Sequence, residues 1–149
     1  MKRYSLVEII CAILTGLWVY AAITKLLTYE QFYQQLQHSV FGTSFTPLVS
    51  VGVPLTEMVT SIFLLFPSAQ WLGLYISLML LNLFTGYIIF LLLFEANVPC
   101  SCGGLLNNLS WPEHLIFNIA FIGINLVGLY CIKHKTSYKQ ASLKTCRKE

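Results

Sequence analysis

Residues 71–94 read WLGLYISLMLLNLFTGYIIFLLLF, a continuous apolar run without one charged side chain and with Asn82 near its middle. An α-helix needs roughly 20 such residues to cross the hydrocarbon of a bilayer, so this stretch predicts a membrane span. Just before it, Pro67-Ser68-Ala69-Gln70 is a very short connection, and residues 47–66 form another apolar run. The two runs predict an antiparallel helical hairpin. Pro47 falls near the first turn, where a missing amide is tolerated. Pro54 falls inside the span, where it should bend the helix and leave the Ser50 carbonyl without its usual partner.

Two more spans lie outward from this hairpin. Residues 6–27 follow a basic start (Lys2, Arg3) and carry only Glu8 and Lys25 as charges near their two ends. Their length favours a retained helix over a cleaved signal peptide, whose apolar region is shorter and precedes a small-residue cleavage site. On the other side, Ser110-Trp111-Pro112-Glu113 starts a fourth span over residues 111–132. Ser110 and Glu113 are spaced as a capping box, and Pro112 lies in the first turn. Between spans one and two, residues 28–46 are amphipathic. Thr28 and Gln31 fit a second capping box, and Phe32, Leu36 and Val40 recur on one face. A short surface helix ended by Gly42 is expected there, with an ordinary loop as the alternative.

Composition agrees. Of the 149 residues, 56% are hydrophobic and only 10% charged, with a mean hydropathy of +0.70. A soluble domain carries about a quarter charged residues and, at this size, could not bury so much apolar surface. The fold class is therefore all-α: a single membrane domain over residues 1–149, built as a four-span bundle with a basic tail at 133–149. Of the nine Lys and Arg, all but Lys25 lie in the termini (Lys2, Arg3, Lys133, Lys135, Lys139, Lys144, Arg147, Lys148), and none lies in residues 28–46 or 95–113. Basic flanks stay on the cytoplasmic side, which predicts both termini inside and residues 95–110 outside, in the periplasm of a Gram-negative cell. A tail of this kind attracts anionic lipid; no nucleic-acid partner is expected.

Topology sorts the five cysteines. Cys11, Cys131 and Cys146 fall at the reducing side, and a buried cysteine often serves as a small apolar filler. Cys100 and Cys102 sit in Asn97-Val98-Pro99-Cys100-Ser101-Cys102-Gly103-Gly104, facing an oxidising compartment. A disulfide across one intervening residue departs from relaxed torsion, and a strained, exposed disulfide exchanges readily. Gly103 and Gly104 leave room for an incoming thiolate and permit unusual backbone angles. Three uses compete: redox exchange, a copper or zinc site that includes His114, and a static clip or unpaired thiols. The metal site lacks a fourth ligand of obvious spacing, and structural zinc sites more often use wider cysteine spacing; no metal is expected.

Polar side chains inside the spans are the other candidates. Glu57 lies near the bilayer midplane, where a carboxylate is costly and usually faces the bundle interior. Lys25 either bends inward toward it or snorkels to the headgroups. His114, Asn118 and Asn125 share one helical face, which Asn82 could meet from span three through interhelical hydrogen bonds. His114, beside the cysteine loop, could move protons or stabilise a thiolate. Trp111 reads as an interface anchor or a shield for the sulfurs.

The four-span layout, Lys25 in Gly16…Thr24-Lys25-Leu26, Glu57 and the Cys-x-Cys-Gly loop together resemble MauE/DoxX-type membrane proteins over most of residues 6–132. MauE-type loops usually place an aromatic residue after the second cysteine, where this chain has Gly103. The resemblance implies periplasmic disulfide handling beside a thioredoxin-like partner or a cysteine-containing substrate. Its four-helix arrangement is also similar to vitamin K epoxide reductase, which implies a quinone as electron acceptor or donor. The expected activity is a thiol–disulfide oxidoreductase at a bacterial inner membrane, in either direction of electron flow. A non-catalytic assembly subunit and a metal-ion or small-molecule transporter using Glu57 and the asparagines are the alternatives.

Overall fold

The computed structural model describes residues 2–37, 42–94 and 111–146. They form five helices: α1 (Lys2–Leu27), α2 (Tyr29–Gln37), α3 (Gly42–Leu65), α4 (Gln70–Phe94) and α5 (Trp111–Cys146). Four of these are long and apolar enough to cross a membrane, over Leu6–Leu27, Phe45–Leu65, Gln70–Phe90 and Glu113–Lys133. Each window is 21 or 22 residues, about 30 Å of helix and so one hydrocarbon thickness. Their outward faces carry Ile9, Ile13, Leu48, Leu55, Met79, Leu83 and Ile119 in the open, as lipid-facing surfaces should. The protein is a multi-pass, all-helical membrane protein.

The spans close a ring in which α1 packs on α3, α3 on α4, α4 on α5 and α5 back on α1. Residue neighbours fix the directions. Gly128 of α5 lies against Ile10 of α1 and Leu74 of α4, while Gly73 of α4 lies against Leu64 of α3. Farther along α1 and α4, Lys25 meets Glu57 of α3 and Phe84 of α4. Successive spans therefore alternate in direction. The end of α4 and the start of α5, which bracket residues 95–110, lie at the Lys25 end of the bundle. The start of α1 and the end of the fourth span lie at the other.

That second end is where the apolar core concentrates: Val7, Ile10, Cys11, Leu14, Trp18, Leu64, Leu74 and Leu81 are all buried together. Cys11 is 2% exposed and fills space as a small apolar side chain. Helices approach closely where side chains vanish. A Cβ on Gly73 would stand 2.9 Å from the Leu64 backbone nitrogen, closer than real Cβ atoms come. The turn before it is tied by Ala69 N–H to the Phe66 carbonyl and Gly73 N–H to the Ala69 carbonyl, giving the predicted tight hairpin.

Several local expectations are corrected. Thr28 caps nothing: its hydroxyl donates to the Thr24 carbonyl at 2.8 Å. Its amide bonds Thr24 and its carbonyl accepts from Phe32, so helical bonding runs almost unbroken from α1 into α2. The surface helix stops at Gln37, and Gly42 opens α3 instead of ending α2. Pro47 is consequently the sixth residue of α3 and not in its first turn. The last helix does not stop near Ile132 but continues to Cys146, since hydropathy marks where a span leaves lipid and not where helical bonding ends. Val40 and Ser110 lie outside the described residues.

Packing at the hairpin makes a test. Gly73→Ala should lower unfolding stability by about 1–3 kcal/mol through overpacking. Gly123→Ala, which meets nothing within 4 Å, should leave it unchanged or raise it by up to about 1 kcal/mol. Denaturation in lipid discs distinguishes the two.

Candidate functional site

One face of α3 is polar and points inward. Thr46, Ser50, Glu57, Thr60 and Ser61 are all buried. The hydroxyls are satisfied locally: Ser50 donates to the Pro47 carbonyl, Thr60 to Thr56 and Ser61 to Glu57. Tyr29 of α2 adds a tie, its hydroxyl 3.1 Å from Ser50 Oγ.

A carboxylate has no such local solution, because a helix offers it no spare donor in mid-span. Glu57 is fully buried, and Lys25 Nζ reaches its Oε1 at 2.7 Å. Lys25 also lies 3.4 Å from the Ala21 carbonyl, one turn back along its own helix, and 5.3 Å from the Phe84 ring centroid. The ammonium is thus folded inward, away from the nearer end of α1; the snorkelling alternative is not the one adopted. Glu57 Oε2 has no hydrogen-bond partner.

A second polar centre lies deeper. Trp18 Nε1 donates to Ser77 Oγ at 2.8 Å, and Asn125 Nδ2 donates to the same oxygen at 2.7 Å. This ties α1, α4 and α5 at one atom. Asn125 is completely buried, as expected of the span-four stripe. Asn82, however, does not meet that stripe: it is exposed and bonds the Leu78 carbonyl of its own helix at 2.7 Å. Ser77 and Trp18 take the place proposed for it. An indole N–H in mid-span needs an acceptor, so Trp18 was a readable signal.

His114 and Asn118 are half-buried in the first turns of α5, and His114 interacts with its surroundings. Phe117 and Phe121 pack against each other on the same helix, tilted by 41° with centroids 4.6 Å apart. Trp111 begins α5; its side chain, and all of Cys100, Cys102, Gly103 and Gly104, lie outside the described residues. Cys131 is a half-buried thiol without a disulfide.

The family described as methylamine utilisation protein MauE matches residues 3–131, all four spans and the cysteine loop included. This chain belongs to the MauE family. No curated protein and no solved structure matches it. Within this MauE-family bundle Lys25 lies near the loop-bearing end of α1 and reaches Glu57 near mid-span.

Four substitutions separate the polar centres from the exposed asparagine. Lys25→Met should destabilise by about 3–5 kcal/mol by stranding a buried carboxylate, and adding Glu57→Leu should recover most of that loss. Asn125→Leu should cost about 1–2 kcal/mol, the upper range for interhelical hydrogen bonds, whereas Asn82→Leu should fall within about 0.5 kcal/mol of the parent. Reversible unfolding of each variant checks both.

Proposed function

We infer that this MauE-family protein is a membrane thiol–disulfide oxidoreductase working through Cys100 and Cys102. The observation that carries the reading is the Cys-x-Cys pair in the segment joining α4 to α5, within a family match that spans it. The bundle supports it by anchoring both flanks of that segment at one end, opposite the start of α1. With basic residues cytoplasmic, that end is periplasmic and the membrane is a bacterial inner membrane.

The exchange balances as follows. A thiolate of a reduced partner attacks one sulfur of the Cys100–Cys102 disulfide, the S–S bond breaks, and the other sulfur leaves as a thiolate that takes a proton. The partner's second thiolate then attacks the mixed disulfide. The partner ends as a disulfide and Cys100 and Cys102 as thiols. His114, near the start of α5, is the residue assigned to proton exchange with the pair. Gly103 and Gly104 keep the approach to the sulfurs slim. The partner is a periplasmic thioredoxin-like protein or a cysteine-containing substrate.

A membrane quinone is the inferred acceptor of the two electrons, supplying a two-electron, two-proton sink when bound. Phe117 and Phe121 offer aromatic surface for a ring. The buried donors Trp18 Nε1 and Lys25 Nζ are already engaged by Ser77 and Glu57.

Alkylation mass-shift in cells tests the reading. Cys100 and Cys102 should appear oxidised in part, and the single Cys100→Ser and Cys102→Ser variants should differ in trapping a mixed disulfide with a partner. Cysteines that remain fully reduced and trap nothing would overturn it.

A further inference from the structure

Of the two charged groups inside the bundle, one has alternatives and the other has none. The Lys25 ammonium is held by three neighbours: the Glu57 carboxylate at 2.7 Å, the Ala21 carbonyl at 3.4 Å and the Phe84 ring at 5.3 Å. The last two do not depend on the charge of Glu57. A carbonyl dipole and an aromatic face both stabilise a cation in a dry site, the ring by about 0.5–2 kcal/mol. Glu57 leans on Lys25 alone. Its Oε1 is bonded, and its Oε2 is buried without a partner, an expensive state for an acceptor removed from water.

The polar and aromatic groups on the helices packed against α3 narrow what can relieve that oxygen. From α1 comes Lys25, a cation. From α2 comes the Tyr29 hydroxyl, already bonded to Ser50, while Glu30 is exposed and bonded by Gln34. From α4 comes the Phe84 ring, with Tyr87 one turn farther on; α5 packs on α1 and α4. No second carboxylate is among them.

We propose that Glu57 is a reversible proton-binding site inside the bundle, Oε2 taking up and releasing a proton while Oε1 stays on Lys25. In the proton-free state the pair is neutral and tightly joined. Uptake converts the carboxylate to a carboxylic acid, and the pair becomes a single cation supported by Ala21 and Phe84. The site lies near mid-span, bonded to Lys25 from the loop-bearing end of α1. If the loop exchanges disulfides, an inference that rests on the preceding reading, the site takes one proton at a time of the two that accompany each dithiol oxidation. The protonation itself does not require that chemistry.

Infrared titration of the full chain in lipid discs reads the site directly through the C=O stretch of a protonated carboxyl. All six acidic residues are glutamates, so the signal is assigned by variants. The wild type should show a band that appears on lowering the pH from about 9 to about 6, above the range in which exposed glutamates protonate. Glu57→Gln should lose that band, and Lys25→Arg should keep it. Should Glu57→Gln fold poorly, the apolar double variant Lys25→Met/Glu57→Leu replaces it and should lose the band equally. A wild type without a titrating band, or a band that survives both removals of Glu57, overturns the proposal. A Cys100→Ser/Cys102→Ser variant that retains the band shows that the site stands whatever becomes of the disulfide reading.

Discussion

A carboxyl group buried in the middle of a membrane bundle is the constraint the rest of this structure accommodates. Two unit charges 2.7 Å apart attract by about 6 kcal/mol at an effective dielectric constant near 20. Stripping water from each ion costs several kcal/mol, so the two quantities nearly cancel. The pair therefore adds little net stability, and its effect is on arrangement. Lys25 must turn inward over Ala21, against the ordinary tendency of a long cationic stem near a helix end to reach for headgroups. That turn sets how far α1 and α3 slide past each other, and Phe84 of α4 then seats against the ammonium.

The remainder of the bundle divides by depth. Toward the start of α1 the helices meet through apolar contacts and missing side chains, with Gly73 against Leu64 and Gly128 against Ile10 and Leu74. Such contact is intolerant of added volume, which makes that end a rigid base. Around mid-span, Ser77 Oγ accepts from both Trp18 and Asn125 and joins three helices at one oxygen. Beyond it, polar ties take over: Lys25 to Glu57 and Tyr29 to Ser50. Directional bonds of this kind hold helices in register without requiring the dense interdigitation of the base.

The four spans were legible because lipid imposes a length and a polarity that no soluble element shares. The rotation of each span about its own axis was not. α4 is apolar on every side, so it carries no amphipathic face from which an inward side could be read. Asn82 looked like the inward residue because it is the larger amide. Ser77 lies five residues earlier, well round the helix at 100° per residue, and when one faces the core the other faces out. Packing against Trp18 and Asn125 decides between them. Lys25 posed the same kind of question in another form. Its stem is long enough to reach either the headgroups or Glu57, and only the distance between α1 and α3 settles which. At α2 and α5 the error ran along the axis. Turn residues suggested boundaries at Thr28 and Gly42, but the Thr28 hydroxyl bonds back to Thr24 and helical bonding carries through.

A loop that changes covalent state has to do so without unseating the helices that hold it. The two helices flanking residues 95–110 are joined to each other by the Ser77–Asn125 bond and to α1 by Gly128 and Trp18, well below their loop-bearing ends. The other two spans are tied to each other by Lys25–Glu57, and α3 is tied to α2 by Tyr29–Ser50. Any displacement transmitted down α4 or α5 from the loop thus meets a fixed point at mid-depth, and any displacement sideways meets the α1–α3 pair. Phe84 is the contact between the two systems, because it touches Trp18 on one side and Lys25 on the other. A change in charge at Glu57 therefore acts on Lys25 of α1, and through the Lys25–Phe84 contact on α4, the helix that leads into the cysteine loop.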